Sequence, residues 1–141
     1  MYKDIKIKRI LVAVDGSENS KRAGDYAIKL GQELDAEIIA LHVIPTGKYI
    51  EKGNLEKGTK YDYAYLDKIG EESISAEVKL EIEILRATQS SVVDEIIDYG
   101  NKKNIDLIVI GIRSISEFRF MLGSTASGVV VNAPCPVLIV K

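Results

Sequence analysis

Leu107-Ile-Val-Ile110 runs into Gly111-Ile-Arg-Ser114, and eight residues later the chain reads Gly123-Ser124-Thr125-Ala-Ser127. The continuous apolar run predicts a strand buried on both faces. A strand that ends in glycine, followed by a loop and a Gly-Ser-Thr helix start, is a phosphate-binding arrangement. The first N–H groups of a helix lack intrahelical partners and lie at the positive end of its dipole. Glycine allows an anion to approach that backbone, and Ser and Thr add hydroxyl donors.

A matching signal lies near the start. Ile10-Leu-Val-Ala13-Val14 is apolar throughout and stops at Asp15-Gly16-Ser17. The carboxylate is therefore expected at the C-terminal edge of a buried strand. Ligands of open parallel α/β sheets bind in the crevice outside such edges.

Between these signals, strands alternate with helices. Ser17 or Asn19 caps a helix to about residue 34, with Ala23, Ala27, Leu30 and Leu34 on one face. A strand over 37–44 ends at Pro45, and residues 46–58 read as a mobile loop. A helix is expected over about 60–77, carrying Leu66 and Ile69, with Tyr61, Tyr63 and Tyr65 as packing residues rather than a ligand platform. Residues 81–85 form a less buried strand, and Ser90 or Ser91 caps a helix with Val92, Val93, Ile96, Ile97 and Tyr99 that stops near Gly100. After strand 107–110 come a loop, a helix over about 123–132 and a last strand over 136–140. This order predicts an α/β domain spanning 1–141, with a five-stranded, mainly parallel sheet and helices on both faces.

Bulk properties exclude several function classes. The 141 residues are 46% hydrophobic and 28% charged with a formal net charge of −2. No broad basic surface is expected for nucleic acid or anionic membrane. Neither a membrane span nor a signal peptide is expected, and a cytoplasmic location follows. Cys135 is the single cysteine and reads as a packed small residue between Pro134 and Pro136, which suits a reducing compartment. His42 is the single histidine, so metal sites rich in histidine are excluded. Within the strand-like Ile38–Ile44 it reads as a satisfied structural residue.

Two patterns are decoys. Gly53-Asn-Leu-Glu-Lys-Gly58-Thr59-Lys60 resembles a P-loop, but its Thr precedes its Lys and no buried strand leads into it. Gly-x-Gly-x-x-Gly is absent, which argues against a Rossmann-type dinucleotide fold. Glu71-Glu72 and Glu81/Glu83 read as solvated faces.

Read together, Ile10–Ser17, Leu41-His-Val43, Asp106–Gly111, Gly123-Ser124-Thr125 and Pro134–Val140 resemble the universal stress protein family over nearly the whole chain. The resemblance implies an adenine-nucleotide α-hydrolase-like fold and a homodimer. ATP-binding members carry Gly-x2-Gly-x9-Gly-Ser/Thr around the phosphates. The residues it implies are Ala13, Val14, Asp15 and Val43 at the adenosine end, and Gly111, Arg113, Ser114, Gly123, Ser124 and Thr125 at the phosphate end. ATP, with magnesium, is the implied cofactor.

Two departures stand out. Ser114 occupies the place of the second glycine, and the spacer to Gly123 is eight residues rather than nine. A Cβ where the backbone needs positive φ or close phosphate approach costs roughly 1–2 kcal/mol. Arg113 and Arg119 are candidates for charge-assisted phosphate bonds or for plain solvated loop residues. Three functions therefore compete: a stress protein with ATP as a regulatory ligand, a nucleotide-free dimeric interaction module of the same fold, and an enzyme. No base is paired with the phosphate loop, so at most slow ATP hydrolysis is expected. The apolar Val137, Leu138, Ile139 and Val140 are unsuited to a free edge and are the expected dimer contact.

Overall fold

Ile10, Leu11 and Val12 are fully excluded from water, because their strand, β1 (Arg9–Ala13), has neighbours on both sides and helices over both faces. The computed structural model describes residues 4–45, 55–116 and 119–141, with the backbone alone for 55–63, 113–116 and 119–121. After β1 come α1 (Glu18–Leu34), β2 (Glu37–Ile44), α2 (Leu55–Ser75) and β3 (Leu80–Arg86). Then follow α3 (Val92–Lys102), β4 (Leu107–Gly111), β5 (Arg113–Ser116), β6 (Arg119–Met121), α4 (Ser124–Asn132) and β7 (Val137–Val140).

The five-stranded sheet has the order β3-β2-β1-β4-β7, and every neighbouring pair is parallel. Alternate residues of the central strands feed two cores. Ile10, Val12, Leu107 and Val109 pack with Ala23, Ala27 and Ile28 of α1 and Leu66 and Ile69 of α2. Leu11, Ile108 and Ile110 pack with Ile96 and Tyr99 of α3 and Ala126 and Val129 of α4. Consecutive apolar residues are what a strand covered on two faces requires. Leu34, by contrast, is exposed and takes no part in the core.

Local chemistry sets the boundaries. Ser17 caps α1 by accepting from the Ser20 N–H, and Ser91 forms a reciprocal capping box with Asp94 on α3. The helix expected from residue 60 begins at Leu55, since Leu, Glu and Lys are good helix formers and one interior Gly58 costs only about 1 kcal/mol. It ends at Ser75 because Glu77 turns into the left-handed region, φ 58°. Of the expected loop, 46–54 lie outside the described residues, and with them part of the P-loop-like stretch. The side chains of Tyr61 and Tyr63 are likewise outside.

The segment after β4 differs from expectation. In place of an open loop, β5 and β6 form a separate antiparallel ribbon in which Ser114 pairs with Phe120.

Candidate functional site

The chain steps outward from β1 through β2 to β3 on one side, and from β4 to β7 on the other. The direction of strand order therefore reverses between β1 and β4, and the crevice beyond their carboxyl ends is the expected ligand position. Val12 stands beside Val109, two residues before Val14 and Gly111 respectively. The ends of β1 and β4 are thus level, and the Asp15 and Gly111 loops leave the sheet together.

At the β1 end, Val14 is tied to β2. Its N–H donates to the Leu41 carbonyl at 2.9 Å, and its carbonyl is 2.8 Å from Nδ1 of the buried His42. A carbonyl only accepts, so that ring nitrogen carries the proton. Asp15 follows, with its N–H 3.3 Å from the Ser20 hydroxyl and its Oδ1 accepting from the Ser17 N–H at 2.9 Å. Partial burial works against ionisation of this carboxyl. Hydrogen bonds from Ser17 and Ser20, with the nearby His42, outweigh it and leave the pKa below the usual aspartate value. Asp15 is therefore a fixed anion at neutral pH, suited to accepting hydroxyl or amine hydrogens. Ala13 is half-buried, and Val43 is buried in the α3–α4 core near the end of β2.

The two glycines expected at the phosphate end prove unlike. A Cβ at Gly111 would sit 2.4 Å from the Asn19 carbonyl oxygen and 3.0 Å from the Ser20 nitrogen. Its smallness is used by the first turn of α1, which also reaches Ile112 through the Asn19 side-chain amide. Among the described residues, a Cβ at Gly123 would meet nothing within 4 Å, and its φ of −62° and ψ of 171° suit any residue. None of the described residues imposes a need for glycine at Gly123.

Gly123 is the N-cap of α4, and no side chain among the described residues caps this helix. Ser127 closes the first turn, its N–H donating to the Gly123 carbonyl and its hydroxyl to Leu122 O. The N–H groups of Ser124, Thr125 and Ala126 precede the first i→i−4 donor. The first turn contains no acidic residue, whereas α1 has Glu18 and α3 has Asp94 and Glu95. Ser124 is exposed and Thr125 half-buried, so an anion would meet donors in this turn and no resident carboxylate. The side chains of Arg113, Ser114 and Arg119 lie outside the described residues.

Sequence reasoning reads Asn19 as a candidate cap and Tyr65 as a packing residue and does not single out Ser20, yet all three support the crevice from α1 and α2. The Tyr65 phenol donates to the Ser20 carbonyl at 3.1 Å. Burial, then the Asp25, Glu72 and Asp15 carboxylates, push its pKa upward, so it stays a donor at neutral pH. Cys135 is half-buried, and burial together with Asp106 raises its thiol pKa, which disfavours the nucleophilic thiolate. Among the described residues no group of three or more His, Cys, Asp or Glu is placed to hold a metal, and no helix is long and apolar enough to cross a membrane.

Comparison with known proteins adds an independent line. A family model described as the universal stress protein family matches residues 6–141. A universal stress protein of Methanocaldococcus jannaschii is 34% identical over 146 residues, covering 95% of this chain and 82% of its own. Among solved structures, the universal stress protein UspA from Lactobacillus plantarum is 27% identical with a TM-score of 0.75, covering 96% of this chain and 99% of its own. A universal stress protein from Archaeoglobus fulgidus, solved in complex with dAMP, shares the fold at a TM-score of 0.74 and 22% identity, covering 97% of this chain and 99% of its own.

Proposed function

The chain belongs to the universal stress protein family, and from that premise we propose that it binds ATP as a regulatory ligand in the crevice beyond β1 and β4. In this reading Asp15, with Ala13, Val14 and Val43 around it, receives the adenosine end. Gly111, Arg113, Ser114, Gly123, Ser124 and Thr125 surround the phosphates. The observation that carries it is the start of α4, a helix terminus that no described side chain caps, behind a glycine that no described atom requires. The dAMP complex of the Archaeoglobus fulgidus protein supports an adenine nucleotide as the ligand class.

The site's donors fit phosphate, and magnesium in this reading arrives on the phosphates. Bound ATP would bring a chelated cation and a labile γ-phosphoryl group. This chain's own residues orient and neutralise: helix N–H groups and the Ser124 and Thr125 hydroxyls donate, and Asp15 accepts. The function is nucleotide-dependent signalling by one domain over 1–141 in the cytoplasm, with hydrolysis slow at most. The apolar edge strand β7 supports a homodimer through Val137, Leu138, Ile139 and Val140.

Mass spectrometry of nucleotide released from freshly purified, denatured protein tests this reading. ATP in near-stoichiometric amount is expected. A second reading, the nucleotide-free interaction module, is favoured by one observation: the Ser114 backbone is engaged in the β5–β6 ribbon, where the family's motif has a glycine against phosphate. No released nucleotide and no ATP binding at millimolar concentration would favour it.

A further inference from the structure

The peptide joining Val14 to Asp15 is held at both of its polar atoms by side chains from different elements. From β2, the His42 Nδ1–H reaches its carbonyl at 2.8 Å. From α1, the Ser20 hydroxyl lies 3.3 Å from its N–H. That hydroxyl also lies within donating distance, 3.0 Å, of the Ser17 carbonyl, and towards the Asp15 N–H it can only accept. Both His42 and Ser20 are buried, at 7% and 4% exposure, so water is poorly placed to substitute for either. A peptide plane fixed at its oxygen and its nitrogen has little freedom to rotate. Its orientation sets the direction in which the Asp15 side chain leaves the sheet and where it meets the Ser17 N–H. Tyr65 steadies the Ser20 side from above by donating to the Ser20 carbonyl.

We propose that His42 and Ser20 are positioning residues that fix the Val14–Asp15 peptide and thereby aim the Asp15 carboxylate at the nucleoside end of the ligand. The assignment rests on the nucleotide reading for its ligand and on the ligand-free geometry for its mechanism. It also gives the sole histidine a task that depends on one nitrogen: asparagine places an amide N–H where Nδ1–H stood, and leucine places none.

The test compares the parent with His42→Leu, His42→Asn and Ser20→Ala. Calorimetric titrations use ATP and inorganic tripolyphosphate, and Asp15 and Ser17 backbone amides are followed by NMR without ligand. His42→Leu and Ser20→Ala are expected to weaken ATP by about tenfold, the size of one lost buried hydrogen bond. Tripolyphosphate should change less than about twofold on the same scale. His42→Asn should recover ATP affinity to within about threefold, with the Asp15 and Ser17 signals back near their parent positions. Equal weakening of both ligands, or Asp15 and Ser17 signals unmoved in His42→Leu and Ser20→Ala, would overturn the assignment. Should His42→Leu fail to fold, Ser20→Ala decides alone. A parent that binds no ATP refutes the nucleotide reading, and the amide signals still decide the positioning role.

Discussion

Alanine at Gly111 should cost more than alanine at Gly123, although both positions belong to one glycine motif. At Gly111 the new Cβ would lie 2.4 Å from the Asn19 carbonyl oxygen and 3.0 Å from the Ser20 nitrogen. Both are backbone atoms in the first turn of α1, so no side chain can swing aside. Relief requires that turn to retreat by roughly 1 Å from the end of β4. Overpacking of this kind costs about 1–3 kcal/mol, equivalent to about 4–12 °C in Tm for a chain of this size. At Gly123 the added methyl meets nothing within 4 Å among the described residues, and the backbone is already in a region open to any residue. Only the weaker capping propensity of alanine acts there, worth a few tenths of a kcal/mol up to about 1. Calorimetric melting of both variants without nucleotide is the assay. A Gly111→Ala Tm within about 1 °C of the parent, or equal losses in the two variants, would refute the division of labour between these glycines.

Other outcomes follow from the same structure. Burial, together with the Asp25 carboxylate and its hydrogen bond, raises the Glu72 pKa; the folded state thus holds this proton more tightly, and stability falls as pH rises through the folded value. Glu72→Gln should melt higher than the parent at pH 7, with the gain vanishing below the unfolded glutamate value of about 4.3; a lower Tm at pH 7 would contradict this. Leu138→Lys should shift a β7-paired dimer to monomer by light scattering, and an unchanged mass would remove β7 as the interface. Ser114→Gly should tighten ATP by up to about tenfold. No gain in calorimetry would mean that the ribbon pairing with Phe120 persists when nucleotide binds.

The sheet was legible because burial on two faces leaves an unmistakable sequence trace. Ile10–Val14 and Leu107–Ile110 are apolar at consecutive positions, and the structure places their strands side by side in the interior of the sheet. The starts of α1 and α3 were equally legible, since Ser17 and Ser91 act on their own first turns. The β5–β6 ribbon was harder, because 113–121 reads as the spacer of a phosphate motif and carries no strict polar–apolar alternation. The purpose of Gly111 was not legible at all. It depends on a carbonyl of Asn19, ninety-two positions earlier, that only the fold brings into contact. The same holds for the Val14–Asp15 peptide, whose partners His42 and Ser20 come from separate elements. Nothing in a strand-like Leu-His-Val marks the histidine for that bond.

The most direct test of nucleotide binding at the α4 start is an ATP titration of the parent and Gly123→Val by calorimetry, with melting temperatures recorded alongside. The parent should bind. Because the space at Gly123, open among the described residues, is the proposed phosphate path, the valine branches should remove ATP binding while the fold survives. ATP bound equally well by Gly123→Val, or not bound by the parent at millimolar concentration, would contradict the account.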